Sequence, residues 1–205
     1  MRKAAHTLSL LLHPVWMPTL AILIAFSIDP HLTFSFTIRG QWIIIGMILI
    51  MTAIFPIIST LMIWRSGAIS ALAMPVRRER ILPFLLSLIY FFMAYYLLRR
   101  TPNPPTALAL FSGCMVGLAA TLLITLAWKI SAHMVGMGGL IGVVCGLMLI
   151  HGAQASILLG VLFLLIGALG TARLLVTDHT PAQIYVGGVL GLFCTFSCVV
   201  LMFYF

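Results

Sequence analysis

The sequence predicts an all-α polytopic membrane protein of six to seven transmembrane helices, built as a single integral membrane domain over residues 1–205. Two observations carry this expectation. Apolar stretches near the length a crossing helix needs, about 17–25 residues, recur at 8–28, 42–64, 81–98, 107–128, 134–150, 155–172 and 184–205. Charged residues make up only 7% of the chain against 63% hydrophobic, and the mean hydropathy is +1.23, far from the averages of soluble domains. The formal charge of +8 is no nucleic-acid signature, because such proteins carry basic stripes on soluble modules and this chain has almost no soluble surface. On a membrane protein, a basic excess means topology signals, anionic headgroups or an anionic substrate.

Each element has its own justification. The first stretch follows Met1-Arg2-Lys3 like a secretory signal, but His13-Pro14 and Pro18 interrupt it and no small-x-small cleavage site precedes Asp29, so it is expected to be retained. His13 there is expected to kink the helix or bond a neighbour. Residues 29–41 link it to the second stretch. Residues 66–76 are too apolar for an ordinary loop and too short to cross, which fits an interfacial or re-entrant segment. Prolines in Arg99-Arg100-Thr101-Pro102-Asn103-Pro104-Pro105 enforce an extended turn before the fourth stretch. The 134–150 stretch is the weakest span by length and glycine content. Its Gly136, Gly138, Gly139, Gly142 and Gly146 predict close helix packing. His151-Gly152-Ala153-Gln154 closes a hairpin to the sixth. Trp42, Trp64, Trp128 and Tyr185 fall at span ends, where aromatic belts sit. Cys114, Cys145, Cys194 and Cys198 lie inside spans and read as small apolar fillers.

Three short polar clusters follow every second stretch: Arg77-Arg78-Glu79-Arg80, then Lys129-Ile130-Ser131-Ala132-His133, then Arg173 with Asp178-His179. Odd–even counting places all three on the face that carries the N-terminus. That face holds eight of the eleven Lys and Arg and the other holds Arg39, Arg99 and Arg100, which favours a cytoplasmic cluster face. Five of the eight belong to the clusters themselves, however, and without them the count is even. Each cluster immediately precedes an apolar helix. Pro83 and Pro181 suit first turns, Ser131 and Thr180 suit caps, and three helix N-termini with free N–H groups would converge with basic side chains on an anion site. His133 and His179 share a membrane depth. One neutral imidazole can attack phosphorus while a second protonates a leaving alkoxide, and cations stabilise the charge that develops.

Bland readings stand beside these. The arginines of 77–80 serve equally as topology signals. Lys129 fits an interfacial snorkeller beside Trp128, Ser131 a simple N-cap, and Thr180-Pro181-Ala182-Gln183 a capping box with proline at the first helical position.

Ile130-Ser131-Ala132-His133 and Ala172-Arg173-x5-His179-x3-Gln183 resemble the second and third motifs of the membrane-bound type 2 phosphatidic acid phosphatases, and Arg77 to Pro83 resembles the first more loosely. The resemblance covers roughly residues 77–190 and implies a lipid-phosphatase-like bundle. It implies His179 as a nucleophile that forms a phosphohistidine and His133 as the general acid. Arg173, Ser131 and Arg80 would hold phosphate and Gln183 would orient His179, and Lys129 and Arg77 are expected as further phosphate-binding residues. The sequence departs from the family at that last position, where the family has aspartate. A glutamine oxygen can accept the Nδ1–H and fix the tautomer, but it cannot offset a positive ring. Ala132 replaces the family's glycine, and the first-motif lysine is missing at its spacing.

The expected substrate is a lipid phosphate or diphosphate whose tails stay in the bilayer. Membrane lipids are the expected surroundings, with no nucleic-acid partner. No cofactor or metal is expected, since Asp29, Glu79 and Asp178 are the only acidic residues. A non-catalytic binder or sensor of anionic headgroups is the first rival. A lipid transporter is the second, with no charge in mid-span and no paired broken helices to support it. The lack of a targeting signal or soluble domain predicts a bacterial cytoplasmic membrane.

Overall fold

In a computed structural model, described over residues 2–101, 105–176 and 179–204, the chain is helical with no strand among those residues. Asp178 and the prolines at 102 and 104 lie outside the described residues. In chain order the helices are α1 (Arg2–Leu11), α2 (Met17–Ile28), α3 (Pro30–Phe34), α4 (Ile38–Leu49), α5 (Phe55–Arg65), α6 (Ile81–Arg99), α7 (Pro105–Ala127), α8 (Ala132–His151), α9 (Ser156–Val176) and α10 (Pro181–Tyr204). They supply seven segments long and apolar enough to cross a membrane, each overlapping one of the expected stretches. The chain is an all-α integral membrane protein.

Two segments are interrupted, each at proline. In the first, Pro14 opens a 3₁₀ turn over Pro14–Trp16 between α1 and α2, and the His13 side chain accepts from the Val15 N–H at 3.5 Å. In the second, a π-helical turn over Ile50–Ile54 joins α4 to α5. Pro56 has no N–H to return to Thr52 and its ring would strike that carbonyl, so one wide turn accommodates it. Phe55 N–H reaches Ile50 O across this turn.

The helix expected to be weakest, α8, is the most buried of the seven. Glycine is the reason, because it lets backbones approach where no side chain intervenes. A Cβ on Gly138 would sit 2.0 Å from the Gly188 carbonyl oxygen, and one on Gly191 would sit 1.9 Å from that of Val135. So α8 and α10 meet backbone to backbone. Thr195 fastens the pair, its hydroxyl donating to Gly139 O at 2.9 Å and to Gly191 O at 3.0 Å. Helices α2, α7 and α9 surround them, and α1 packs along α9.

Residues 66–76 form an irregular segment that folds back on the bundle, with Ile69 buried. Glu79 anchors it, accepting from both the N–H and the hydroxyl of Ser70 at 3.1 and 3.0 Å. Between α2 and α4, Asp29 caps α3 by accepting from His31 N–H at 3.0 Å. Its second oxygen meets His151 Nδ1 at 2.8 Å, tying the end of α8 to this link. Trp42, Trp64, Trp128 and Tyr185 are all exposed. The four cysteines are free thiols within the helices.

Candidate functional site

The starts of α8 and α10 lie side by side. Ser131 precedes α8 with extended backbone, and its N–H donates to the Gln183 carbonyl at 3.4 Å, so the two helix N-termini are joined by main chain. Ser131 itself has no accessible surface, and its hydroxyl has no hydrogen-bond partner. A buried hydroxyl at a helix N-terminus, beside unsatisfied N–H groups, is suited to an anion.

On α10 the capping box forms, and it also does a second job. Gln183 N–H donates to Thr180 Oγ1 at 3.4 Å, and Gln183 Oε1 accepts from Thr180 N–H at 3.2 Å. The same Oε1 lies 2.9 Å from Nδ1 of His179. An atom that accepts from a backbone N–H must be the amide oxygen, so Nδ1 must carry the proton and Nε2 keeps its lone pair. One side chain therefore closes the capping box and contacts the His179 ring. His179 is 7% exposed, and Gln183 is equally enclosed.

Burial drives the His179 pKa from 6.5 down to about 4, against the partial upward pull of the Gln183 bond. Arg80, Arg173 and Lys129 add repulsion in the same downward direction, so all three stand within electrostatic range of the ring. Arg80 and Arg173 also lie within range of each other. Like charges gathered beside a helix N-terminus cost stability unless an anion joins them. Arg80 is oriented by its Nε–H, which donates to Met74 O at 3.0 Å.

His133, on the first turn of α8, meets Ser9 of α1: its Nε2 is 3.1 Å from the Ser9 carbonyl oxygen. A carbonyl only accepts, so Nε2 carries the proton and Nδ1 is the exchangeable nitrogen. His133 lies within electrostatic range of Arg173 and His179. Of the residues singled out by sequence, Arg80, Lys129, Ser131, His133, Arg173, His179 and Gln183 are gathered at this one place. Arg77 is turned elsewhere, donating to Leu126 O at the end of α7 at 2.7 Å, where it satisfies a helix C-terminus.

Sequence reasoning did not assign His13, Ser9 or Met74 to the site. The His13 ring stands edge-on to His133 with centroids 5.1 Å apart. Its one sequence signal was the His-Pro break inside an apolar stretch. Ser9 and Met74 contribute backbone carbonyls, which no side-chain pattern reveals. Compared with models of known protein families, with curated proteins and with solved structures, the chain matches none.

Proposed function

We propose that the protein hydrolyses a lipid phosphate or diphosphate through a phosphohistidine on His179, as a divergent relative of the type 2 phosphatidic acid phosphatases. The observation that carries this reading is the 2.9 Å contact between His179 Nδ1 and Gln183 Oε1, which leaves Nε2 as a bare nucleophile amid Arg80, Arg173 and Lys129. Burial keeps the ring neutral at physiological pH, as a nucleophile requires.

In the first half-reaction, the Nε2 lone pair attacks phosphorus as the bond to the ester or anhydride oxygen breaks. The anionic phosphate, once bound, draws a second proton from solvent onto His133 Nδ1, and His133 gives that proton to the leaving oxygen. The Ser9 carbonyl holds the opposite N–H and fixes the ring, the part that Gln183 plays for His179. In the second, water attacks the phosphohistidine, His133 takes the water's proton, and phosphate departs to leave His179 neutral. Arg80, Arg173 and Lys129 stabilise the oxyanions, with the Ser131 hydroxyl and the α8 N–H groups beside them. Arg77 contributes to the field of the face only. The chemistry calls for no metal or cofactor, and the partners are the lipid phosphate and membrane lipids, without nucleic acid. We place the protein in a bacterial cytoplasmic membrane.

One observation favours a second reading. Gln183 is neutral and cannot offset an imidazolium, so the same cations could bind and sense an anionic headgroup without turnover. Phosphate release by the purified protein from a panel of lipid phosphates and diphosphates, beside His179→Ala, separates the two. Release that drops at least 1,000-fold in the variant, on the order of a lost nucleophile, supports the enzyme. No release from folded protein that still binds the lipids would establish the sensor and remove the enzyme.

A further inference from the structure

The break after α1 is built by the residues around it. Pro14 opens the turn, the His13 side chain caps it by accepting from Val15 N–H, and Trp16 N–H returns to His13 O at 3.1 Å. On α8, one turn beyond His133, Gly136 makes room for it. A Cβ there would lie 2.7 Å from Met17 Cγ and 3.5 Å from Pro14 Cα, so glycine lets the break seat closely on α8. That seating sets the His13 ring against His133, centroids 5.1 Å apart and planes at 81°. His13 belongs to none of the three polar clusters, and the two half-reactions give it no part.

The two histidines of the mechanism are held differently. His179 is gripped at Nδ1, which stands beside the Cβ–Cγ bond and well off its axis, so the contact with Gln183 Oε1 opposes rotation of the ring directly. His133 is gripped at Nε2, at the far end of the ring and closer to that axis. The Ser9 bond therefore settles which nitrogen carries the proton, but it opposes rotation about Cβ–Cγ more weakly, and that torsion has a broad profile of its own. Rotation swings Nδ1, the nitrogen that trades protons with substrate, through the wider arc. His133 needs a second contact, on the body of the ring rather than at its tip.

We infer that His13 is a positioning residue for His133: its ring, set nearly perpendicular, blocks the rotation that the Ser9 bond leaves and keeps Nδ1 turned to the leaving oxygen. The inference rests on the phosphohistidine reading and adds to it a residue from the first span. Two features suit a histidine to the place. Its Nδ1 accepts from Val15 N–H, so the ring is anchored by the backbone of its own turn. With Nδ1 accepting, the proton sits on Nε2 and the ring is neutral. It therefore adds no second charge beside the one that His133 must carry.

Two substitutions in the full-length protein divide the ring from the cap. His13→Asn keeps a capping acceptor ahead of Pro14 and removes the ring, whereas His13→Phe keeps a ring and removes the acceptor. Phosphate release is followed on dodecyl phosphate, whose alkoxide needs a proton to leave, and on p-nitrophenyl phosphate, whose phenolate leaves without one. In His13→Asn, once shown folded by its thermal transition, the alkyl rate should fall at least about 30-fold and the aryl rate less than about threefold, as for a general acid put out of line. His13→Phe should bring the alkyl rate back to within about threefold of the wild type. Added to His133→Asn, the His13→Asn change should slow release no further. Equal losses on both substrates would mark a general distortion and overturn the inference. An active His13→Asn beside an impaired His13→Phe would reduce His13 to a cap and overturn it too.

A second readout needs no turnover. In detergent-solubilised protein labelled with ¹⁵N and ¹³C at histidine, the His133 ring signals are those lost in His133→Asn. They should report the Nε2–H tautomer as one sharp set, with a nuclear Overhauser cross-peak to the His13 ring protons. In His13→Asn that set should broaden or split. The wild-type cross-peak requires no variant to fold, and its absence would overturn the inference, as would an unchanged His133 set in His13→Asn. The predicted change in the His133 signals, with no release from either substrate by the wild type, would sustain the positioning role and overturn the catalytic reading. Release at the wild-type rate with His133 signals indifferent to His13 would do the reverse.

Discussion

Gln183 is where one side chain decides both structure and chemistry. Its Oε1 accepts from Thr180 N–H and from His179 Nδ1, so removing it unseats the start of α10 and frees the ring together. Gln183→Leu is expected to cost about 1 kcal/mol of stability, the value of a lost cap, and to slow phosphate release by far more than that cost implies. Gln183→Glu keeps the acceptor in place and adds a charge that stabilises the imidazolium, so the His179 pKa should rise from about 4. The acid limb of the pH–rate profile should move up with it, which a profile of kcat/KM on both proteins measures.

The same group has a stability signature. The His179 pKa is lowered in the folded state, so above 6.5 folded and unfolded chains are both neutral and its contribution is fully present. As pH falls from 6.5 towards about 4, only the unfolded chain takes up the proton and stability is lost, on the order of a few kcal/mol. Thermal transitions of the wild type should therefore fall across that window more steeply than those of His179→Ala. Parallel curves would contradict the assignment.

Among the elements, α8 and α10 depend on glycine by contact. Gly138→Ala would drive a methyl into the Gly188 carbonyl, so it should destabilise by about 3 kcal/mol or prevent folding. Gly160→Ala, on α9 with nothing within 4 Å of a new Cβ, should be neutral or stabilising by about 0.5–1 kcal/mol. Thermal unfolding of the two variants in detergent tests the contrast. A run of small residues announces close packing in the sequence, but not which helix lies opposite. That is why the short 134–150 stretch reads as a weak span yet forms the most buried one. The breaks at Pro14 and Pro56 are equally legible as breaks. That they line one cavity is a tertiary fact, set by spans that meet only in the fold.

Across the whole molecule, the seven spans and the gathering of cations followed from counting alone, because length and odd–even alternation are one-dimensional properties. Sidedness follows the same arithmetic. The turn at 77–80 should open on one side of the membrane and Arg39 on the other. In a cysteine-free background, an impermeant thiol reagent should therefore label Arg78→Cys and Arg39→Cys from opposite sides, and labelling from the same side would break the topology. Counting could not deliver His13, which lies too far along the first span to be ranked with His133 by depth. The break after α1 sets it against that ring.

The central claim is that His179 attacks phosphorus, and trapping the intermediate tests it most directly. Purified protein would be mixed with a ³²P-labelled lipid phosphate, quenched within milliseconds in alkali, and digested to find the labelled peptide. A phosphoramidate on His179 that is stable to base, labile to acid and absent from His179→Ala is the predicted result. Phosphate release at full rate with no label on His179 would contradict the account.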